Sequence, residues 1–282
     1  MEIKKLGVVG AGTMGNGIAQ IAAQIGCEVV MRDIEMRFVE GGMKKVEAFL
    51  AKSVEKGKLE AKEKDAILGR IKGTVDMADL KDVDLVVEAV LEDIDLKKSV
   101  FKELDEICRP EGILATNTSS MSITEIAAST KRPDKVCGMH FFNPVPLMRL
   151  VEIIRGYATS DETIRITTDL AQRMGKTTVE VKKDSPGFIV NRIMTPHFLE
   201  AIRMVEEGIA SIEDIDKAVK NGLNYPMGPF ELMDLTGIDI AYHVTEYLYK
   251  ELNKENKWVS PNLMKTMIRS GNLGRKTGKG WY

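Results

Sequence analysis

The chain has 282 residues, 44% of them hydrophobic, and a formal net charge of −2. That length suits one large domain or two unequal ones, and that apolar share excludes global disorder. The near-neutral balance gives no basis for nucleic acid or an anionic membrane as partner. Cys27, Cys108 and Cys137 lie far apart, without the spacing of a metal site. Their sparse, odd count fits a reducing compartment, with core packing the plain reading for each. No apolar run approaches the ~20 residues that span a bilayer. Met1–Lys5 lead straight into a strand, leaving no room for a signal peptide, so a cytoplasmic protein is expected.

Leu6–Val9 reads as a short buried strand, followed by Gly10-Ala11-Gly12-Thr13-Met14-Gly15, a helix from Asn16 to Ile25 closed by Gly26, and a second strand over Cys27–Met31 ending at Asp33. This is a βαβ unit of Rossmann length. The glycine pattern follows a strand, opens a helix and is trailed by an acid 21 residues after Gly12, the context that gives the motif its meaning. Gly10 permits the tight turn, Gly12 lets a pyrophosphate approach the backbone, and Gly15 lets the helix pack on the strand. Thr13 and Met14 complete the cofactor loop, and the helix N-terminus offers free N–H groups to the phosphates. The alternative is a glycine-rich turn without ligand. Asp33 is expected to accept from the adenosine ribose and to repel a 2′-phosphate, which favours NAD. Arg32 beside it keeps NADP open, because a guanidinium accommodates such a phosphate.

Glu35–Lys72 reads as a long helical hairpin with Gly57 near its turn. Asp84–Glu88 is a strand, Ile94–Cys108 an amphipathic helix, and Ile113–Thr116 a strand running into Asn117-Thr118-Ser119-Ser120. Ile123–Ser129 is a helix, and Lys135–His140 and Leu150–Ile154 are strands. The nine residues between those two are too few for a helical crossover, so the strands are expected to pair antiparallel. A helix over 161–174 and a strand over 177–181 follow.

Asp184-Ser185-Pro186-Gly187 marks a boundary, beyond which only helices read: Phe188–Gly208, Ser211–Asn221, Pro229–Leu252 and Pro261–Ser270. The expected fold is α/β: a Rossmann-type doubly wound, mostly parallel sheet over 1–184, with an all-helical C-terminal domain over 185–282 for substrate and dimerisation. There is no internal repeat. The small helical domain cannot bury all its apolar positions alone. For the stripe of Ile189, Val190, Ile193 and Met194, intramolecular core and homodimer interface both stand.

Ser119 and His140 fall at strand carboxyl ends, where such sheets carry their crevice. A secondary alcohol that loses hydride to a nicotinamide must also lose its O–H proton, a task suited to imidazole. Glu152, on the adjoining strand, is placed to hold the other ring nitrogen. Ser119 and Asn191 could donate to the substrate oxygen. The plain alternative makes His140, beside two phenylalanines, a satisfied core residue; the dinucleotide loop upstream favours chemistry. His197 and His243 sit in amphipathic segments and read as structural.

Gly10–Gly15, Asn117–Ser120, His140–Pro146, Pro186–Arg192 and Tyr225–Phe230 together resemble the 3-hydroxyacyl-CoA dehydrogenase family, in order over essentially the whole chain. In length the chain is similar to the short-chain bacterial 3-hydroxybutyryl-CoA dehydrogenases. The resemblance implies NAD(H)-linked interconversion of (S)-3-hydroxybutyryl-CoA and acetoacetyl-CoA. It implies His140 as acid/base, Glu152 as its carboxylate partner, and Ser119 and Asn191 as contacts of the substrate oxygen. It also implies Asn143 against substrate or nicotinamide, and Glu92 and Lys97 near the cofactor ribose and nicotinamide. Asn117 and Ser119 are implied among the cofactor contacts, and Lys276 as a C-terminal lysine reaching the cofactor. Of Lys52 and Lys56 on the hairpin, Lys52 is taken as a CoA contact, with a solvated helix face as the alternative. A homodimer is favoured. Two rivals are a dehydrogenase of a free 3-hydroxy acid and a non-catalytic NAD-binding structural protein; the latter needs none of Ser119, His140, Glu152 and Asn191.

Overall fold

The computed structural model describes residues 1–282. β1 (Lys5–Val9) buries every residue after Lys5, as a central strand covered on both faces must. α1 (Thr13–Gln24) follows, then β2 (Glu28–Arg32), which lies parallel on β1. α2 (Met36–Glu55) and α3 (Ala61–Gly69) form the hairpin. The segment 35–72 is not helical to its end: Ile71–Thr74 is a strand, β3, parallel on β2. Four residues containing a lysine and a glycine carry no alternation of their own, so the free edge of β2 decides their conformation. Gly73 is part of that fit, since a Cβ there would stand 2.4 Å from Val39 Cγ1.

β4 (Leu85–Glu88), α4 (Ile94–Ile107), β5 (Ile113–Thr116), α5 (Ile123–Ala127), β6 (Val136–Phe141), β7 (Leu150–Arg155), α6 (Asp161–Arg173) and β8 (Thr177–Val181) complete the α/β part. The sheet order is β3-β2-β1-β4-β5-β6-β7-β8. All neighbours are parallel except β6 and β7, which are antiparallel; β8 runs parallel to β7. The winding reverses between β1 and β4, so the crevice beyond their carboxyl ends is the switch point where such sheets take ligands.

The chain divides into two units, Met1–Asp184 and Ser185–Tyr282. The second consists of α7 (Val190–Glu206), α8 (Ile212–Gly222), α9 (Pro229–Thr236), α10 (Ile238–Glu251) and α11 (Asn262–Arg269). The expected single helix over 229–252 is therefore two. Gly237, at φ +106°, breaks it, a backbone conformation no other residue adopts without strain. Leu199, Ile202, Ile215, Phe230, Met233, Met264 and Trp281 pack as this unit's core, with Phe230 and Trp281 edge to face at 5.1 Å. On α7, Ile193 remains 64% exposed, so the apolar stripe is only partly used within the chain. No helix is long and apolar enough to cross a membrane.

Candidate active site

The crevice begins with the glycine loop. Gly10 takes φ +101°, and a Cβ there would lie 2.5 Å from the Ala89 carbonyl oxygen, so the loop is pressed against the end of β4. A Cβ on Gly15 would fall 1.7 Å from the Gly10 carbonyl oxygen. Gly12 differs: a Cβ there would meet nothing within 4 Å. Its missing side chain relieves no clash in the protein and instead leaves room for something to lie against the backbone. Gly12 is the N-cap of α1, with no side-chain cap and no acid in the first turn. Open space, free N–H donors and the positive end of the helix dipole together suit a pyrophosphate. Asp33 accepts the Ala11 N–H at 2.7 Å on Oδ2 and the Ile34 N–H at 2.7 Å on Oδ1. The acid is thereby tied to the loop. Arg32 donates through Nε to the Val75 carbonyl at 3.1 Å.

Beside the loop, the ends of β4 and β5 carry a buried polar network. Glu88, fully buried, accepts from Val90 N–H at 2.7 Å, Lys97 Nζ at 2.8 Å and Thr116 Oγ1 at 2.7 Å. Lys97, 1% exposed on α4, also pairs with Glu92 at 3.3 Å. Glu92 accepts in turn from Thr118 Oγ1 at 2.6 Å, Ser119 N–H at 2.7 Å and Ser119 Oγ at 3.1 Å. Burial alone would raise the Glu92 carboxyl; the Lys97 charge and the bonds from Thr118 and Ser119 outweigh it and hold it below its ordinary range. Removing one member of the buried Glu88–Lys97 pair would strand the other charge, at a cost of about 3–5 kcal/mol. Glu92, Lys97 and Ser119 are thus brought together. Glu88, Thr116 and Thr118 join them without having been singled out from the sequence. The available signal was a strand ending in an acid, Leu85-Val86-Val87-Glu88, nine residues before a lysine in the first turns of a helix.

His140, 5% exposed near the carboxyl end of β6, stands opposite Glu152 of β7 in the antiparallel register. Nδ1 lies 2.6 Å from Glu152 Oε2, and Glu152 is fully buried. An ionised carboxylate only accepts, so Nδ1 is the donor and Nε2 the ring atom able to exchange a proton. The Phe142 ring lies 4.4 Å from the imidazole, centroid to centroid. Asn117 Oδ1 accepts the Phe141 N–H at 2.9 Å, fastening the turn after β5 to the end of β6.

Asn143 is exposed on the loop after β6. That loop is anchored by Lys176, whose Nζ donates to the carbonyls of Val145 at 2.6 Å and Met148 at 2.8 Å, and whose pKa burial pushes down. Val145 rests on α1: a Cβ on Gly17 would come within 2.8 Å of Val145 Cβ. Lys52 is exposed in the last turn of α2. Asn191 lies in the first turn of α7. Lys276 follows Gly274 and pairs with Asp239 Oδ2 at 2.5 Å within the second unit. The cysteines are all buried, and burial lowers the His197 pKa.

Two family models match. That described as 3-hydroxyacyl-CoA dehydrogenase, NAD binding domain, covers residues 5–185, and that described as 3-hydroxyacyl-CoA dehydrogenase, C-terminal domain, covers residues 187–282. The chain is 49% identical over 278 residues to a probable 3-hydroxybutyryl-CoA dehydrogenase of Deinococcus radiodurans, covering 99% of each. It is 47% identical to a 3-hydroxybutyryl-CoA dehydrogenase of Clostridioides difficile, covering 99% of this chain and 98% of that one. Among solved structures, it matches the (S)-3-hydroxybutyryl-CoA dehydrogenase PaaH1 of Ralstonia eutropha with a TM-score of 0.96 at 47% identity, covering 100% of this chain and 99% of that one.

Proposed function

Because the chain belongs to the 3-hydroxyacyl-CoA dehydrogenase family, and is an NAD-dependent oxidoreductase, we propose that it interconverts (S)-3-hydroxybutyryl-CoA and acetoacetyl-CoA with His140 and Glu152 as the acid/base pair. The observation that carries the reading is the 2.6 Å contact of Glu152 with His140 Nδ1 at the carboxyl end of β6. NAD(H), when bound, supplies the hydride exchange. The Gly12 opening and the α1 N-terminus hold its pyrophosphate, and Asp33 its adenosine ribose. Glu92, Lys97, Asn117 and Asn143 line its nicotinamide half, and Lys276 is assigned to the cofactor by family likeness.

In the reducing direction His140 delivers a proton from Nε2 to the oxygen that was the ketone. The resulting neutral imidazole keeps its orientation through Glu152; in the oxidising direction the same carboxylate stabilises the imidazolium. Ser119 turns its one hydroxyl hydrogen from Glu92 to the substrate oxygen, and Asn191 is assigned the same task. Lys52, exposed at the end of α2, is assigned to a CoA phosphate. The relatives' names support the acyl-CoA substrate. Exposed Ile189 and Ile193 support a homodimer through α7, and three buried thiols support a reducing, cytoplasmic setting.

The test is acetoacetyl-CoA reduction with NADH and, in parallel, NADPH, by wild type and His140→Ala. The expected result is turnover with NADH that the substitution abolishes. No turnover with either cofactor removes the substrate assignment, and turnover indifferent to His140→Ala removes the acid/base assignment. Sedimentation of wild type and Ile193→Asp tests the dimer.

A further inference from the structure

One fully buried carboxylate in the first unit, Glu88, is left without a task by the proposed mechanism. Its carboxylate accepts from the Val90 N–H just beyond its own strand, from Lys97 on α4, and from Thr116 at the end of β5, three residues before Ser119. Two routes lead from it to Ser119. By the first, Glu88 holds Lys97 Nζ at 2.8 Å, Lys97 pairs with Glu92 at 3.3 Å, and Glu92 accepts both the N–H and the hydroxyl of Ser119. By the second, Glu88 orients the Thr116 hydroxyl at 2.7 Å, and that oxygen accepts the Thr118 N–H at 3.2 Å. Thr118 then donates its own hydroxyl to Glu92 at 2.6 Å and accepts the Met121 N–H at 3.0 Å. The turn over 116–121 is thus gripped from both sides, and both grips end on one carboxylate.

A buried ion pair is weak support for stability, since apolar residues of similar volume fill such space as well or better. It does fix direction: each Glu88 oxygen has its donors, so the carboxylate has a single orientation and Lys97 with it. We propose that Glu88 is a positioning residue that sets the Ser119 hydroxyl, through Lys97 and Glu92 on one side and Thr116 on the other. Glu88 does not touch substrate. It determines where Ser119 points. This rests on the reading that Ser119, held through its N–H by Glu92, turns its one hydroxyl hydrogen from Glu92 to the substrate oxygen.

A double-mutant cycle tests it. Ser119→Ala, Glu88→Gln and the pair are compared in acetoacetyl-CoA reduction, with NADH affinity measured by fluorescence and folding by thermal unfolding. Glu88→Gln should lower kcat at saturating NADH roughly tenfold, the rate equivalent of one charged hydrogen bond, over and above any change in NADH affinity that passes through Lys97. In the Ser119→Ala background the same substitution should cost almost nothing further, and Glu88→Asp should recover part of the loss. Multiplicative losses in the double variant overturn the proposal, because general damage does not depend on Ser119. Ser119→Ala that turns over like wild type defeats the Ser119 reading and this inference with it. Should Glu88→Gln not fold, Glu88→Gln with Lys97→Met removes both buried charges, and the same cycle decides on that background.

Discussion

Glu152 meets His140 because two adjacent strands run antiparallel in a sheet that is otherwise wound parallel. The register sets the residues directly opposite each other, side chains on one face, with the carboxylate 2.6 Å from Nδ1. Neither residue relies on a loop to reach the other. The connection between the strands only has to turn the chain round.

Glu152→Gln keeps the shape of that pair and removes its charge. The amide can face Nδ1 with either its oxygen or its nitrogen, so the tautomer is no longer imposed, and an imidazolium loses its counter-charge. The expected outcome is a fall in kcat of about 10²-fold or more with acyl-CoA KM little altered. Steady-state kinetics decides: a rise in KM at constant kcat would show that Glu152 serves binding instead.

Gly12 and Gly15 should separate binding from folding. Alanine at 15 would drive a Cβ to 1.7 Å from the Gly10 carbonyl oxygen, so the turn must shift, at about 1–3 kcal/mol. Its melting temperature should drop. Alanine at 12 meets no protein atom within 4 Å. Gly12→Ala should melt like wild type and bind NADH about tenfold more weakly, a change of ~1.4 kcal/mol. Thermal unfolding and fluorescence titration of both variants check this, and equal loss of stability would contradict it.

Glu92 gives a pH dependence with a definite sign. Its folded carboxyl sits below the 4.5 of an ordinary glutamate. The unfolded chain therefore binds the proton more readily. The stabilisation is complete above the unfolded value and disappears as pH falls through the lower folded one. The melting-temperature gap between wild type and Glu92→Gln should hold steady from neutrality to about pH 5 and close below it. A gap that widens on acidification would reverse the sign.

Burial raises the Cys108 thiol to about 11 and the Cys137 thiol to about 12. The reactive species is the thiolate. At neutral pH, alkylation followed by mass spectrometry should leave both unmodified until denaturant opens the fold. Rapid labelling of native protein at either site would contradict the burial.

The sequence made the first unit legible where local pattern and tertiary demand agree. Apolar runs after Leu6 and Ile113 became central strands, and the short connection between β6 and β7 announced their antiparallel pairing. Ile71–Thr74 was illegible because its strand conformation comes from the edge of β2 rather than from its own residues. Gly237 inside a helical pattern could have been tolerated; only the observed positive φ makes it a break. Of the polar network, Ser119 is legible as a hydroxyl at a strand carboxyl end, whereas Glu92 and Lys97 are legible only through family likeness. Glu88 was read only as the end of a strand, because an acid on β4 and a lysine on α4 show no pattern that would join them.

Val145 and Gly17 give the crevice a shared wall. The helix that opens at the glycine loop and the loop that follows His140 touch there with nothing but a hydrogen between them, and Lys176 clamps the loop from behind. Its thickness is set by the smallest side chain available. A methyl group at position 17 would act as a wedge, lifting the segment that carries Asn143 away from α1. The spacing between the two halves of the crevice is thus gauged at a residue that need touch neither ligand.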